Sequence, residues 1–363
     1  MSVIALNRQG VYNPRPVVEI DGQRFDKVDE LLLAMDMREH EGGLSALELR
    51  FSNFASDADG GADYAFEDES EIRLGSTVTI YAGDSTEPQE IFRGVITGME
   101  AEFSSSAPPE ILVLAEDRLQ QARMARRTQV YSDMSVADIA RQIAQRLGLQ
   151  VQVSGLSSSN GTWVQLNESD LAFLRRLLRQ YDADLQIVAD RRLEVAPVSE
   201  VQRQVIEMEL FQDLRCVRFV ADLANQVTEV TSNGWNAISG QRVSGCSQGV
   251  NLGPGNGRLG ATLMSQVLGS RSEHVGHIAV TTDAEAQALA DTIFDQRARS
   301  FVSAEGTATG HPSIRVGSHL QLSGVSPRFE NTYYVVSTHH HYDLLTGYMT
   351  DFKAESAKLG EAS

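Results

Sequence analysis

The stretch Ile72–Ser76 reads IRLGS, and Ile314–Ser318 reads IRVGS. In both places alternating apolar residues follow, which is typical of a strand with one buried face, and then a turn. Beyond the turn, Phe92–Thr97 aligns with Tyr333–Thr338, and each stretch closes on a strand that ends in Ala-Glu. We therefore predict one small antiparallel β-barrel that is present twice, because a closed barrel leaves no exposed strand edge.

The chain between the two copies has a different pattern. Ser135–Asp138 is a variant of the capping box, and the apolar residues behind it keep helical spacing as far as Leu147. Asn167 is predicted to cap a second helix, whose apolar stripe ends at Tyr181, and two short strands follow. This segment therefore predicts a compact α+β unit.

These patterns predict a mainly β fold with an α+β insertion: two similar small antiparallel β-barrels flanking an α+β domain. The second barrel carries one helix, which begins at a capping box headed by Thr282. The glycine-rich segment Gly245–Gly260 is predicted to be an exposed loop, and Gly253–Gly257 in particular does not suit regular structure. The predicted parts are a first barrel at 1–120, the α+β domain at 121–200, the second barrel at 201–356 and a C-terminal tail at 357–363.

Acidic residues are concentrated in the first third of the chain. The 31 basic and 49 acidic residues give a net charge of −18, and residues 1–120 contribute most of this excess. Such a surface repels a phosphate backbone, so we expect no nucleic-acid binding. No apolar run has the length of a transmembrane helix, and the first residues do not resemble a secretory signal, so we expect synthesis in the cytoplasm and no membrane insertion by this chain.

Basic residues are instead clustered in the middle third. Aromatic residues that could stack on bases are not interleaved with them, so the cluster predicts either a solvated helix face or an ionic seam against another domain or chain. We expect Arg175, Arg176 and Arg179 to take part in such a seam. The eight arginines of the cluster are Arg123, Arg126, Arg127, Arg141, Arg146, Arg175, Arg176 and Arg179.

Two groups of residues suggest metal ligands. Asp57, Asp59, Asp63 and Asp68 lie in an acidic loop, but Gly61 and Ala62 stand where a calcium loop needs a ligand and then a glycine. His339 and His341 would share one face of a strand, and His319 could join them. No carboxylate or cysteine is placed by the sequence to complete that set, so we predict a polar strand face and no metal site.

Cys216 and Cys246 have no metal-binding or disulfide spacing, and we expect both to be small buried residues. The sequence contains neither a phosphate-binding loop nor a Gly-x-Ser-x-Gly elbow. We therefore predict no catalytic residue and no cofactor. A carbohydrate-active or metal-dependent enzyme on a β-barrel scaffold is the alternative, because acidic residues that could act in pairs are abundant.

Four segments in this order resemble one family. They are ILVLAEDRLQQARMARRTQVYSDMSVADIARQIAQRLGLQ, VQLNESDLAFLRRLLRQYDADLQIV, VTEVTSNGWNAISGQRVSG and YYVVSTHHHYDLLTGYMTDFKAES. Together they resemble the phage late control D proteins, the central baseplate hubs of contractile tails, which are related to hubs of type VI secretion spikes and extracellular contractile injection systems. The resemblance covers about residues 10–356.

The resemblance implies a structural role. Hubs of this family are homotrimers in which each chain supplies two similar barrels, so that a pseudo-sixfold ring joins the hexameric inner tube to the trimeric spike. The implied partners are further copies of this chain, the inner tube protein, a separate spike protein and other baseplate components. The expected location is an assembled phage tail or injection particle, made in the bacterial cytoplasm.

Overall fold

The structure is a computed structural model that describes residues 12–56, 62–84, 86–157, 161–188 and 192–361. Strands make up most of its regular structure, so the predicted mainly β fold class is confirmed. Before the middle segment the chain forms these elements: β1 Tyr12–Ile20, β2 Gln23–Arg24, α1 Asp26–Leu31, β3 Leu32–His40, β4 Ala46–Ser52, β5 Phe54–Ser56, β6 Ala62–Tyr64, β7 Thr77–Asp84, β8 Gln89–Glu102 and β9 Glu110–Glu116.

The middle segment packs two helices against short strands around its own apolar core. Short 3-10 turns flank it at 118–123, 179–181 and 198–200. Its elements are β10 Arg126–Met134, α2 Val136–Arg146, β11 Gln150–Val153, β12 Gly161–Ser169, α3 Asp170–Leu178, β13 Ala183–Val188 and β14 Arg192–Pro197.

The rest of the chain returns mostly to strand and contains two helices, of which the second is the longer. Its elements are β15 Val205–Glu209, β16 Leu214–Ala221, β17 Glu229–Asn236, β18 Gln241–Ser247, β19 Arg258–Leu259, α4 Gly260–Val267, β20 Ser272–Val275, α5 Asp283–Arg299, β21 Val302–Thr309, β22 His319–Ser323, β23 Asn331–Asp343, β24 Gly347–Ser356 and β25 Lys358–Leu359.

Two six-stranded units have the same strand order. The first unit runs β3-β4-β9-β8-β7-β1, and the second unit runs β16-β21-β24-β23-β22-β15. Among the strands that the structure describes, no pairing links β1 to β3 or β15 to β16, so hydrogen bonding does not close either unit into a complete ring. The units also differ at one position, since β1 is antiparallel to β7 whereas β15 is parallel to β22.

The repeated motif forms the same turn in both units. Gly75 donates its backbone N–H to the carbonyl of Ile96 at 2.9 Å, and Gly317 donates to Val335 at 3.0 Å. Both glycines have positive φ, +88° and +83°, a region that a side chain disfavours. The predicted repeat is therefore confirmed at this turn.

The next strand aligns differently from the sequence-based prediction. Ile96 pairs with Ala115 in the first unit as Val335 pairs with Ala354 in the second, and a bulge follows each pair. Ile96 thus matches Val335, whereas aligning Phe92–Thr97 with Tyr333–Thr338 placed it on Ser337. That alignment is wrong by two residues, because the strands of the β7–β8 hairpin are longer than those of the β22–β23 hairpin, so more residues separate Gly75 from Ile96 than Gly317 from Val335.

The second unit contains an insertion between β16 and β21. Strands β17, β18 and β20 form a small sheet that packs with α5 around a separate core. The prediction of one helix in this region is wrong, since α4 precedes α5, and Gly245 lies within β18 rather than in a loop. Gly253–Gly257 does lie between strands, as expected.

Two further boundaries differ from prediction. The second helix of the middle segment, α3, is capped by Ser169, whose Oγ accepts the Ala172 N–H at 3.2 Å, and not by Asn167, which has φ +49° just before the end of β12. The predicted tail begins with the buried residue Ala357, and β25 then pairs with β19. By contrast, Ser135 caps α2 as predicted, accepting the Asp138 N–H at 3.1 Å.

The two turn glycines provide a matched test of packing. An added Cβ at Gly317 would lie 2.4 Å from Arg203 Nη1 and 2.6 Å from Val201 Cγ1, whereas at Gly75 it would meet open space. We expect Gly75→Ala to lower the free energy of unfolding by about 1–2 kcal/mol because of backbone strain. We expect Gly317→Ala to lower it by roughly 1–3 kcal/mol more because of crowding. Thermal unfolding of both variants tests this, and equal destabilisation would show that the crowding is absent.

Candidate functional site

The two units are joined by a continuous sheet. Strand β3 of the first unit pairs antiparallel with the second half of β23, with Arg38 opposite His339 and Asp36 opposite His341. Because side chains alternate across a sheet, one face of this junction packs into the cores and the other is polar. The polar face consists of Asp36, Arg38, His40, Glu305, His339, His341, Asp351 and Lys353, all exposed or half-buried.

On the core side, a buried ion pair fastens the junction. Glu39 of β3 accepts hydrogen bonds from Arg315, at 2.7 Å from Nε and also from Nη2. Ser45 Oγ lies 3.2 Å from the same carboxylate. Burial raises the pKa of Glu39, but the charge and hydrogen bonds of Arg315 outweigh burial and hold that pKa at about 2. Arg315 belongs to the repeated motif, so the second copy of the turn binds the first unit through this ion pair.

A second charged group lies where three parts of the chain meet. The guanidinium of Arg299, at the end of α5, contacts Glu41 Oε1 at 2.9 Å, Asp182 Oδ1 at 3.6 Å and Glu355 Oε2 at 3.4 Å. Three carboxylates therefore share one guanidinium. Burial raises the pKa of Glu41 to about 7, Arg299 opposes this, and the neighbouring carboxylates, including Asp184, reinforce it.

On the polar face, two histidines and two aspartates form a cluster. His339 Nε2 lies 2.6 Å from Asp36 Oδ1, and His339 Nδ1 lies 3.5 Å from Asp351 Oδ2. His341 Nε2 lies 3.3 Å from the same Asp351 oxygen, and the two imidazoles stack with centroids 4.8 Å apart. Hydrogen bonds to Asp351 and Asp36 raise the pKa of His339 to about 9, and the neighbouring imidazoles of His339 and His341 hold the pKa of Asp351 well below its usual range.

His340, between them, has a purely structural role. Its ring is fully buried, with Nδ1 2.7 Å from the Tyr348 hydroxyl and Nε2 2.9 Å from the Ile314 carbonyl. Burial lowers its pKa to about 3, so the ring is neutral and its Nε2–H donates to Ile314. It links β23 to the repeated turn.

Sequence reasoning found only part of the cluster. His339 and His341 share a face as predicted, but His319 lies on β22 and stacks edge-on against Tyr334 instead. The expectation that no carboxylate completes the set is wrong, because Asp351 lies directly opposite His339 in the β23–β24 hairpin. Counting outward from the turn at Asp343–Gly347 would have found this pair.

The acidic loop forms no comparable group in the part of the chain that the structure describes. Asp57 and Asp59 lie outside the described residues. Asp63 accepts the N–H of its neighbour Tyr64, and Asp68 accepts from Ser70, which are local turn contacts. Among described residues, the only group of three potential metal ligands is His339, His341 and Asp351.

The arginines of the middle segment mostly bind within the chain. Arg175 donates to the carbonyls of Gly42 and Gly43, both at 2.7 Å, so it joins the middle segment to the first unit through backbone carbonyls rather than through acidic side chains. Arg176 bonds Glu168 and the Val164 carbonyl, and Arg179 is exposed. The other pairs are Arg123–Glu116, Arg127–Asp170, Arg141–Asp138 and Arg146–Asp170, with Arg126 on the Asn167 carbonyl.

Both cysteines are exposed, which corrects the prediction that they are buried. Cys216 lies on β16, an edge strand that pairs only with β21 among the described strands. Cys246 lies on β18, also at a sheet edge. An edge strand has no neighbouring strand on one side to cover its side chains. Small apolar residues such as these cysteines can therefore remain accessible to solvent there.

The family model described as the Alg8 N-terminal domain matches residues 55–343, about four-fifths of the chain. The chain belongs to the Alg8 N-terminal domain family. This description names neither an enzymatic activity nor a ligand. No curated protein matches the sequence significantly.

Solved structures place this family member among phage tail folds. It resembles the prophage MuSo2 43 kDa tail protein from Shewanella oneidensis, with a TM-score of 0.66, 13% identity, and coverage of 94% of this chain and 97% of that one. A tail protein from Neisseria meningitidis gives a TM-score of 0.65 at 12% identity, covering 94% and 96%. A component of the E. coli type VI secretion system gives 0.59 at 13% identity, covering 95% and 79%.

The resemblance to baseplate hubs is confirmed at the level of fold. The E. coli protein is itself described as similar to T4 bacteriophage tail proteins. In the described part of the chain, no helix has the length and apolarity needed to span a membrane.

The Arg299 group makes a pH-dependent contribution to stability. Because the folded-state pKa of Glu41, about 7, lies above the ordinary value of 4.5, the native state favours the proton, and this stabilisation is lost as pH rises from 4.5 to 7. Wild type loses this contribution between pH 5 and pH 8, whereas Glu41→Gln does not. We therefore expect the free energy of unfolding of Glu41→Gln, taken relative to wild type, to rise by on the order of 2 kcal/mol over that range. Thermal unfolding across this range tests it, with exposed Glu305→Gln as control; parallel curves for Glu41→Gln and wild type would contradict it.

Proposed function

We propose that this chain is the structural baseplate hub of a contractile tail or injection system. Three copies form a ring of six similar barrels that joins the hexameric inner tube to the trimeric spike. The observation that carries the proposal is a free strand edge on the first unit. The equivalent edge of the second unit is occupied by β3.

The second half of β8 is that free edge. Residues 89–95 of β8 pair with β7, but in the described structure residues 98–102 pair only with β9. Their counterparts on β23 begin at Ser337, and there β3 occupies the edge. The first unit therefore offers the site that β3 fills on the second unit, and within the described chain nothing fills it.

The matching strand is β16, the counterpart of β3. Leu32 and Leu214 begin these strands at the same place, and each is followed by a bulge before Ala34 and Cys216. In the chain described, β16 pairs only with β21. We infer that β16 of one copy pairs with residues 98–102 of β8 in the next copy.

The repeat also sets the register of this pairing. Since His341 faces Asp36 across the internal junction, their counterparts Glu102 and Arg218 would face each other across the junction between copies. A carboxylate opposite a guanidinium stabilises a cross-strand pair. Met99 and Phe103, 38% and 62% exposed in the single chain, would be covered on the core side.

We expect a cyclic assembly because each copy would use two different surfaces, the edge of β16 and the edge of β8. A β16-to-β8 contact is head-to-tail, and such contacts close into a ring when each step turns by the correct angle. Internal and intermolecular junctions would use equivalent strand positions, so each would turn the sheet by a similar angle. Three chains would then complete six steps, which supports a threefold object that presents six similar units.

The remaining parts of the proposal follow from the tail-protein fold. We propose a place in an assembled phage or injection particle, with the inner tube protein, a separate spike protein and other baseplate components as partners. The polar face, with charges of both signs, suits a water-filled channel. We also propose that the chain is not an enzyme, in line with its structural tail-protein neighbours; the alternative, a carbohydrate-active or metal-dependent enzyme, has only the histidine cluster in its favour.

Engineered cysteines test the register. In a background with Cys216→Ser and Cys246→Ser, we expect Glu102→Cys with Arg218→Cys to form disulfide-linked trimers, since facing residues in antiparallel strands meet the distance that a disulfide needs. The matched control is Ala101→Cys with Arg218→Cys, which places the two thiols on opposite faces. Non-reducing gels and mass photometry measure linkage; equal linkage in both pairs, or in neither, would reject the register.

Charge reversal tests the same contact without covalent chemistry. We expect Arg218→Glu to weaken the trimer, because three acidic side chains would then converge on the seam, and Arg218→Glu with Glu102→Arg to restore it. Sedimentation measures the assembly state. It is done at low and at high salt, because salt weakens the attraction or repulsion between exposed charges. A trimer unaffected by Arg218→Glu would place the interface elsewhere.

A further inference from the structure

We propose that His339, His341 and Asp351 bind one divalent transition-metal ion, best matched by Zn²⁺, on the polar face where the two units join. This site is separate from the proposed hub function and does not depend on trimer formation. The argument rests on the distances within the cluster, on the position of Asp36 and on the unpaired nitrogen of His341.

The spacing of the ligand atoms suits a tetrahedral ion. Metal bonds of about 2.1 Å in tetrahedral geometry place neighbouring ligand atoms about 3.4 Å apart. Asp351 Oδ2 lies 3.5 Å from His339 Nδ1 and 3.3 Å from His341 Nε2. All three ligand atoms lie within 4.8 Å of one another, so one ion can contact each of them after small side-chain movements.

Asp36 supports His339 as a metal ligand. Its Oδ1 lies 2.6 Å from His339 Nε2, so once an ion displaces the proton on Nδ1, Nε2–H donates to the carboxylate and Nδ1 can bind the ion. Metal-bound histidines commonly donate their second ring N–H to a carboxylate in this way. Asp36 comes from the first unit, whereas the three ligands come from the second.

His341 supplies an independent sign of a missing ligand. Its Nε2 is buried and makes no hydrogen bond in the structure, although the Asp351 carboxylate is near. A buried ring nitrogen without a partner is costly. An ion between this nitrogen and Asp351 Oδ2 would satisfy both atoms.

The ligand types identify the class of metal. Two imidazoles with one carboxylate suit Zn²⁺ and similar transition ions, whereas Ca²⁺ and Mg²⁺ prefer sets made of oxygen ligands. Three protein ligands leave a fourth position on the ion. The cluster lies on an open strand face with its ligands only half-buried, so that position faces solvent and can take water or a group from a neighbouring molecule.

The repeat shows that the site is particular to the internal junction. The positions that match His339, His341 and Asp351 in the first unit are Glu100, Glu102 and Leu112, and Arg218 replaces Asp36. Glutamates thus replace both imidazoles and a leucine replaces the aspartate, and across the proposed junction between copies a cation takes the place of Asp36. If the proposed ring forms, it would carry three metal sites at alternate junctions.

Metal titration of the full-length, untagged chain tests the proposal. After chelator treatment, we expect one Zn²⁺ per chain by isothermal titration calorimetry, a rise in Tm on adding Zn²⁺, and a tetrahedral visible spectrum on adding Co²⁺. Asp351→Asn and His341→Gln should each abolish saturable binding. Asp36→Asn should weaken it by about 10–100-fold, as loss of a supporting carboxylate does.

Controls separate a metal site from a structural ion pair. His277→Gln, which removes an exposed histidine elsewhere, should bind Zn²⁺ like wild type. If Asp351→Asn lowers Tm but the wild-type chain binds no Zn²⁺, the cluster is an ion pair and the proposal is wrong. Equal binding by wild type and Asp351→Asn would also overturn it. Trimer formation, measured separately, leaves either result unchanged.

Discussion

The pairing of β3 with β23 is the contact on which the rest of the structure depends. It turns two six-stranded units into one sheet and brings Glu39 beneath Arg315 of the other unit. Removing one partner of such a buried pair leaves an uncompensated charge, which typically costs about 3–5 kcal/mol. The pair therefore makes separation of the units costly, while the hydrogen bonds of the strands fix their register. This register joins the residues of both units into one polar face and brings Asp36 to the histidine cluster of the second unit.

The same motif is used differently in the two units. In the first, Arg73 reaches Asp21 of its own unit at 3.1 Å and remains exposed. In the second, Arg315 crosses to Glu39, which is buried, and is itself half-buried. A junction that forms during folding can bury its charges permanently. An edge that must stay soluble before assembly needs exposed charges, and Glu100, Glu102 and Arg218 provide them on β8 and β16.

The sequence predicted features set by local chemistry and missed those set by pairing. The repeated turn follows from glycine at positive φ, and the α2 boundary follows from the Ser135 cap, so both were found. The alignment of β8 with β23 slipped by two residues, because the strands of the first hairpin are longer and the alternating pattern does not show how many residues each strand contains. Asp351 was missed for a related reason: its partner is fixed by the β23–β24 pairing. Cys216 was misjudged because residue type does not show which strand lies at an edge.

The charge distribution of the chain bears on how the proposed assembly would be held together. Most arginines of the middle segment are paired inside the chain, and Arg175 is held by backbone carbonyls of the first unit. Arg123 also reaches the first unit, through Glu116, whereas most of the others pair within the middle segment, which leaves little positive charge for neighbours. In an acidic chain of net charge −18, copies repel one another at a distance, with a reach of about 10 Å at 0.1 M salt. A strand edge offers backbone hydrogen bonds that salt barely screens, so pairing of β16 with β8 can hold copies together where side-chain charges alone would drive them apart.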